Sequence, residues 1–175
     1  YTAIPEPFIP EKTYSDILVI GGGITGLTAA LASANAGYSA LLVEKEKELG
    51  GFLNQLETQL PAEAPWIEEK AVDIQDLIED VVSHNRIQVF TETTIESING
   101  QPGEFKVSLS GSAPDIPFYI GSIVNASGWK PYDPNNLSHL GYGLSPDIIT
   151  SVDLEKKLKS DDLKCHASGA IPKSV

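Results

Sequence analysis

Apolar residues along this chain fall in short runs and helical stripes. Asp16–Ile20 (DILVI) is a β-branched apolar run without polar alternation, the pattern of a strand buried on both faces of a parallel sheet. Gly21, Gly22 and Gly23 follow at once. Ile24–Ala36 then has helical spacing, with small Ala29, Ala30, Ala32 and Ala34 allowing close packing, and Gly37 stands where a helix C′ residue belongs. Ala40–Val43 (ALLV) is a second apolar strand, closed by Glu44. A further helix is predicted over 65–83. Pro65 suits its first turn, Ile67, Ala71, Ile74, Leu77, Ile78, Val81 and Val82 share one face, and the acidic run Asp73–Asp80 forms the wet face. Ile87–Phe90 is a third strand. Thr94–Ile98, Glu104–Leu109 and Phe118–Asn125 read as a small antiparallel β-meander, with Asn99-Gly100 as its hairpin turn. From Ser138 the pattern is loop-rich, with a short helix at Asp153–Lys159. The expected class is α/β, a parallel sheet plus the small antiparallel meander.

Charge narrows the partners. With 12 Lys plus Arg against 24 Asp plus Glu, the formal charge is −12, which argues against nucleic acid or an anionic membrane as partner. Arg86 is the single arginine, so bidentate Arg clamps on phosphate are nearly excluded. Any phosphate held here must rely on backbone N–H groups, helix ends or Lys. Cys165 is the single cysteine, which leaves no intramolecular disulfide and no Cys cluster for zinc or iron–sulfur. That usage fits a reducing compartment, and the expected location is cytoplasmic. No apolar run approaches the ~20 residues needed to span a bilayer, so no membrane insertion is expected. Tyr1–Lys12 lacks the basic and apolar regions of a signal peptide.

The expected organisation is a Pro-rich linker over 1–14, one domain over 15–160 and a polar tail over 161–175. Pro5, Pro7 and Pro10 favour extended geometry in the first stretch. The chain holds no Met, which is expected of a piece of something longer.

One motif carries chemistry. Gly21-Gly22-Gly23-Ile24-Thr25-Gly26 is G-x-G-x-x-G, with a strand before it, a helix after it and an acidic residue ending the next strand. Gly21 permits the tight turn, Gly23 lets backbone approach a pyrophosphate, and Gly26 lets helix and strand pack closely. The pyrophosphate then meets free N–H groups at a helix N-terminus, where the dipole favours anions. Glu44 stands where it can accept hydrogen bonds from ribose hydroxyls, and its charge disfavours a 2′-phosphate. The motif alone leaves FAD and NAD open.

A family resemblance bears on that choice. Ile17–Ala30, the stretch Val43–Gly51 with its Leu49-Gly50-Gly51, Gly103–Val107, Asn125–Pro134, Gly141-Tyr142-Gly143 and Ile148–Ser151 together resemble the FAD-binding region of the heterodisulfide reductase A-type subunits and related two-dinucleotide-binding flavoproteins. The resemblance implies a Rossmann-like FAD/NAD(P)-binding three-layer fold and FAD as cofactor. It implies that Gly21, Gly23, Ile24, Thr25 and Gly26 hold the pyrophosphate, and that Glu44 holds the adenosine ribose with Lys45 beside it. Gly50 and Gly51 would line the diphosphate and flavin side, Ile95 would offer backbone groups to the adenine, and Ala126, Ser127 and Gly128 would close over the cofactor. It also implies other redox subunits or domains as partners, and a fold that continues past Val175, so that these residues alone are expected to be inactive.

The sequence departs from the family in three places. Pro61–Glu69 and Ser110–Pro117 hold no Cys, Ser127 replaces the usual Thr, and Phe52 follows Gly51 where the family often has Arg. His84, His139 and His166 are scattered and read as surface residues, Cys165-His166 lies in a polar tail, and Trp129 and Tyr132 read as packing residues or as rings against a cofactor. The function expected is the FAD-binding part of an electron-transferring oxidoreductase. The alternatives are a non-enzymatic NAD- or ADP-ribose-binding scaffold, or part of an FAD-dependent amine oxidase or monooxygenase.

Overall fold

The computed structural model describes residues 12–59, 64–68, 70–160 and 162–172. Most of the expected Pro-rich linker, residues 1–11, and the end of the expected tail lie outside them. The strands are β1 (Ile17–Ile20), β2 (Ala40–Val43), β3 (Thr58–Gln59), β4 (Lys70–Ala71), β5 (Ile87–Phe90), β6 (Thr93–Gln101), β7 (Glu104–Gly111), β8 (Phe118–Ile120) and β9 (Ser122–Asn125). The α-helices are α1 (Ile24–Asn35), α2 (Gln75–Ser83) and α3 (Ser151–Lys159), and 3₁₀ turns cover Gly51–Gln55 and Pro134–Leu140. The chain divides into two compact units: Tyr1–Gly51 with Ile74–Gly128, and Phe52–Asp73 with Trp129–Val175.

The first unit is built on a four-stranded parallel sheet of order β5-β2-β1-β9. Apolar residues on both faces explain it: Leu18, Val19, Leu41, Leu42 and Val43 are all buried. Alternation sends Leu18, Leu41 and Val43 to one face, where they join Val107, Leu109 and Ile120 of the antiparallel sheet β6-β7-β8. Val19 and Leu42 face the other way, on the side packed by α1, whose buried stripe is Gly26, Leu27, Ala30 and Ala34. The result is three layers: helices, parallel sheet, antiparallel sheet. This is the architecture expected.

Three local expectations are corrected. The helix over 65–83 begins only at Gln75. Trp66 sits at φ 56°, outside helical space, Ile67 is 75% exposed, and Lys70–Ala71 pairs with Thr58–Gln59 instead. The acidic residues of α2 do stay on its wet face, with Val81 buried beneath them. The hairpin turn is Pro102-Gly103, not Asn99-Gly100. Asn99 and Gly100 pair with Lys106 and Phe105 inside the ladder, and Gly103 at φ 88° has the sign that a Pro-Gly type II turn needs. The run Phe118–Asn125 is two strands rather than one. At buried Gly121 the chain passes from the antiparallel to the parallel sheet, and a Cβ there would collide with the Tyr14 carbonyl.

In the second unit, α3 is stopped at its start by a capping box. Thr150 Oγ1 accepts the Asp153 N–H at 3.1 Å and Asp153 Oδ2 accepts the Thr150 N–H at 3.2 Å. Lys159 Nζ donates to the Asn54 carbonyl at 2.7 Å and the Glu57 N–H to Glu155 Oε2 at 3.0 Å, tying α3 to the 52–59 stretch.

Candidate functional site: a glycine-lined mouth at the carboxyl ends of the parallel strands

Four of the segments singled out by sequence, Gly21–Gly26, Glu44, Gly50-Gly51 and Ala126–Gly128, meet where β1, β2 and β9 end, the edge at which open parallel sheets bind ligands. Gly21 leaves β1 at φ 108° and donates its N–H to the Val43 carbonyl at 2.8 Å. A Cβ at Gly21 would collide with the carbonyl of Ala126, so the Ala126-Ser127-Gly128 segment lies directly against the first glycine of the motif. Ala126 is fixed there by its own N–H to the Ile20 carbonyl, 2.8 Å. A Cβ at Gly26 would collide with the Gly21 carbonyl, so helix and turn touch backbone to backbone.

Gly23 is the N-cap of α1, with φ −77° and ψ −179° and no side-chain cap bond. The first-turn amides of Ile24, Thr25 and Gly26 therefore have neither helical acceptors nor a capping side chain. No acidic residue stands in that turn, and Ile24 and Thr25 are exposed. Facing it is the second glycine pair. The Gly50 N–H donates to the Gly22 carbonyl at 2.8 Å, Gly50 bridges Gly23, and Gly51 adopts φ 58° with its Cβ position 3.0 Å from Gly23 Cα. At Gly23, by contrast, an added Cβ finds nothing nearer than Gly51 Cα at 4.0 Å. A side chain at Gly23 would thus enter open space beside Gly51.

Glu44 is 7% exposed. Its carboxylate accepts the Gly22 N–H through Oε2 at 2.5 Å and the Glu46 N–H through Oε1 at 2.9 Å. Two of its roughly four acceptor positions are thus used by backbone amides. Lys45 points away, 57% exposed and paired with Glu46 at 3.4 Å. The Glu44 carbonyl accepts the Thr93 N–H at 3.0 Å, which docks the start of β6 beside the end of β2. By the two-residue period of a strand, Ile95 N–H faces the same side as that of Thr93, away from β7. Ser127 N–H is held by Asn125 Oδ1 at 3.2 Å, and Gly128 at φ 71° has open space around it.

Sequence reasoning gave no role to Gly22 and Leu49, and both matter. A Cβ at Gly22 would lie 2.6 Å from Leu49 Cδ2 and 3.1 Å from Glu44 Cβ, so Leu49 and Glu44 close over that glycine. The adjacency of three glycines was the available signal. The histidines have local partners of their own. His84 accepts the Arg86 N–H through Nδ1 at 3.1 Å, and Arg86 Nη1 donates to the Gly37 carbonyl at 2.9 Å, at the far end of α1. His139 lies on the 3₁₀ turn, and the His166 N–H donates to Asp147 Oδ1 at 2.5 Å. Among the described residues no three His, Cys, Asp or Glu side chains gather as a metal site, and no helix is long and apolar enough to cross a membrane.

The mouth thus combines a helix N-terminus without a side-chain cap, close glycine backbones and a buried carboxylate. The family model for FAD dependent oxidoreductases matches residues 16–108, and the chain belongs to that family of flavoenzymes, whose cofactor is FAD. It is similar to a protein of Archaeoglobus profundus described as like the A-type subunit of heterodisulfide reductase, 38% identical over 103 residues, which are 57% of this chain and 14% of the relative. It is also 31% identical to the A-type subunit of the H(2):CoB-CoM heterodisulfide,ferredoxin reductase of Methanothermobacter marburgensis, covering 89% of this chain and 35% of that one. That alignment runs over 233 positions, more than the 175 residues of this chain, so the relative carries residues that this chain lacks. The chain thus spans about a third or less of the length of these relatives. The fold is also that of the thioredoxin reductase of Lactococcus lactis, with a TM-score of 0.55 at 21% identity over 75% of this chain and 41% of that one.

Proposed function

We propose that this chain is the FAD-binding part of an electron-transferring oxidoreductase resembling the A-type subunit of heterodisulfide reductase, and that it holds FAD through main-chain amides rather than cations. The observation that carries the reading is the open N-terminus of α1, bordered by Gly23, Gly50 and Gly51. In it, the amides of Ile24, Thr25 and Gly26 receive the pyrophosphate and the helix dipole offsets its charge. Gly21 and Gly26 keep the turn and helix close enough for that contact. Glu44 takes ribose hydroxyls with its spare acceptor positions, Lys45 flanks it in solvent, and Ile95 presents its amide to the adenine. Ala126, Ser127 and Gly128 form the opposite arm of the mouth.

FAD supplies the redox chemistry when bound, exchanging electrons in pairs or singly. The residues of this chain bind and orient it. Partner redox subunits or domains in the cytoplasm would deliver and withdraw the electrons, by analogy with the names of the relatives. The test is the visible flavin spectrum of the purified protein reconstituted with FAD, beside Gly23→Val. The wild-type protein should retain stoichiometric flavin and Gly23→Val almost none. Equal flavin in both would refute the pyrophosphate site.

A further inference from the structure

The chain crosses from the nucleotide-binding unit into the second unit at three places: Gly51–Phe52, Asp73–Ile74 and Gly128–Trp129. Two of these exits come straight out of the glycine arms of the mouth. Both glycines sit at positive φ, 58° at Gly51 and 71° at Gly128, in backbone that glycine alone enters readily. Such segments lose the most conformational entropy when a ligand orders them. Just beyond each exit stands an aromatic ring, and the two rings meet. Phe52 and Trp129 pack with centroids 5.0 Å apart at 46°. Consecutive Cα atoms are ~3.8 Å apart across a trans peptide. One ring contact therefore tethers Gly51 and Gly128 at short range, although 77 positions separate them in sequence. Trp129 is 66% exposed and Phe52 half-buried, so this pair is not explained by core formation.

We infer that Phe52 and Trp129 are positioning residues for FAD: their ring contact clasps the two glycine arms in the geometry that receives the cofactor, before it arrives. The inference rests on the reading of Gly50-Gly51 and Ala126–Gly128 as cofactor arms. The clasp lowers the ordering entropy that FAD would otherwise have to supply, which is how preorganisation raises affinity.

The experiment titrates FAD into the apoprotein, read by flavin fluorescence, with the apoprotein Tm measured in parallel. Variants are Phe52→Ala, Phe52→Leu, Trp129→Ala, Trp129→Phe and the double alanine change, with Gly23→Val as control. Removing either ring should weaken FAD roughly three- to tenfold, the range of one aromatic pair. Trp129→Phe keeps a ring and should stay within about twofold of wild type. The double alanine variant should be no weaker than the weaker single, because one contact is lost in all three. Phe52→Leu, which keeps apolar volume and folds in the same way, should lose as much affinity as Phe52→Ala. Full FAD affinity in Phe52→Leu and Trp129→Ala, or additive losses in the double variant, would overturn the clasp. If Gly23→Val loses flavin while the ring variants keep it, the clasp alone is wrong; if Gly23→Val keeps flavin, the mouth is misassigned and the clasp falls with it.

Discussion

Glu44 Oε2 lies 2.5 Å from the amide nitrogen of Gly22, 22 positions earlier in the chain. The residue read from sequence as a ribose ligand is thus also a strut between the end of β2 and the glycine turn after β1. Its second oxygen holds the Glu46 N–H. Glu44→Ala would leave the buried Gly22 N–H without an acceptor, at a cost of about 1–3 kcal/mol. Glu44→Gln keeps one carbonyl oxygen, which can serve one of the two amides. We expect chemical denaturation to rank wild type above Glu44→Gln above Glu44→Ala in the absence of FAD. A residue used only for ribose would show no apoprotein effect.

The two ends of the glycine motif should separate folding from binding. At Gly26 a methyl group meets the Gly21 carbonyl, so Gly26→Ala should lower stability by about 1–3 kcal/mol. At Gly23, φ −77° admits any residue and the added methyl meets only Gly51 Cα at 4.0 Å. Gly23→Ala should therefore fold with a loss under about 1 kcal/mol, while FAD binds at least roughly tenfold more weakly. Calorimetry and flavin titration on the same pair of variants check this.

Apart from Gly50-Gly51 and the arm at Ala126–Gly128, the groups proposed for the cofactor address its ADP half. ADP should compete with FAD for the apoprotein and riboflavin should not. Isothermal titration with each ligand, then with FAD after saturation, reads the result.

The capping box of α3 sets an acid limit. The Thr150 hydroxyl, donating to Asp153 Oδ2 at 2.7 Å, is the main cause that holds the Asp153 carboxyl below its ordinary range. Partial burial opposes it, while the Thr150 amide and the charges of Lys156 and Lys157 act with it. A carboxyl depressed in the folded state stabilises above its unfolded pKa, and that contribution is lost as pH falls through the lower folded value. Amide exchange at the start of α3 should accelerate only under strongly acid conditions. Thr150→Ala should cost the helix about 1 kcal/mol at neutral pH and move its onset of fraying upward in pH.

What the sequence made legible had local causes. The motif Gly21–Gly26 could be read because each glycine answers a neighbour one turn or one strand away, and the structure supplies those neighbours. The first two strands and α1 followed from apolar pattern alone. The hairpin did not, because two turn dipeptides compete within five residues. Asn99-Gly100 would have drawn Ile98 and Gln101 opposite each other, whereas pairing Ile98 with Val107 and closing at Pro102-Gly103 keeps Val107 and Leu109 on the core. The helix over 65–83 failed because Ala71 and Ile78 belong to different elements, β4 and α2, that happen to share helical spacing. The inward turn of the Glu44 carboxylate was hidden for another reason: it depends on Leu49 and Gly22, which only tertiary packing brings together.

Gly121 joins β8 to β9 without a loop, so the sheet that offers Ile95 and the arm that carries Ala126 belong to one uninterrupted length of polypeptide. The meander cannot peel from the parallel layer without pulling on β9 and the segment proposed to close over the cofactor. A flavin seated in this mouth would thereby report on the integrity of a sheet it barely touches, and its release would be an early sign of unravelling at that seam.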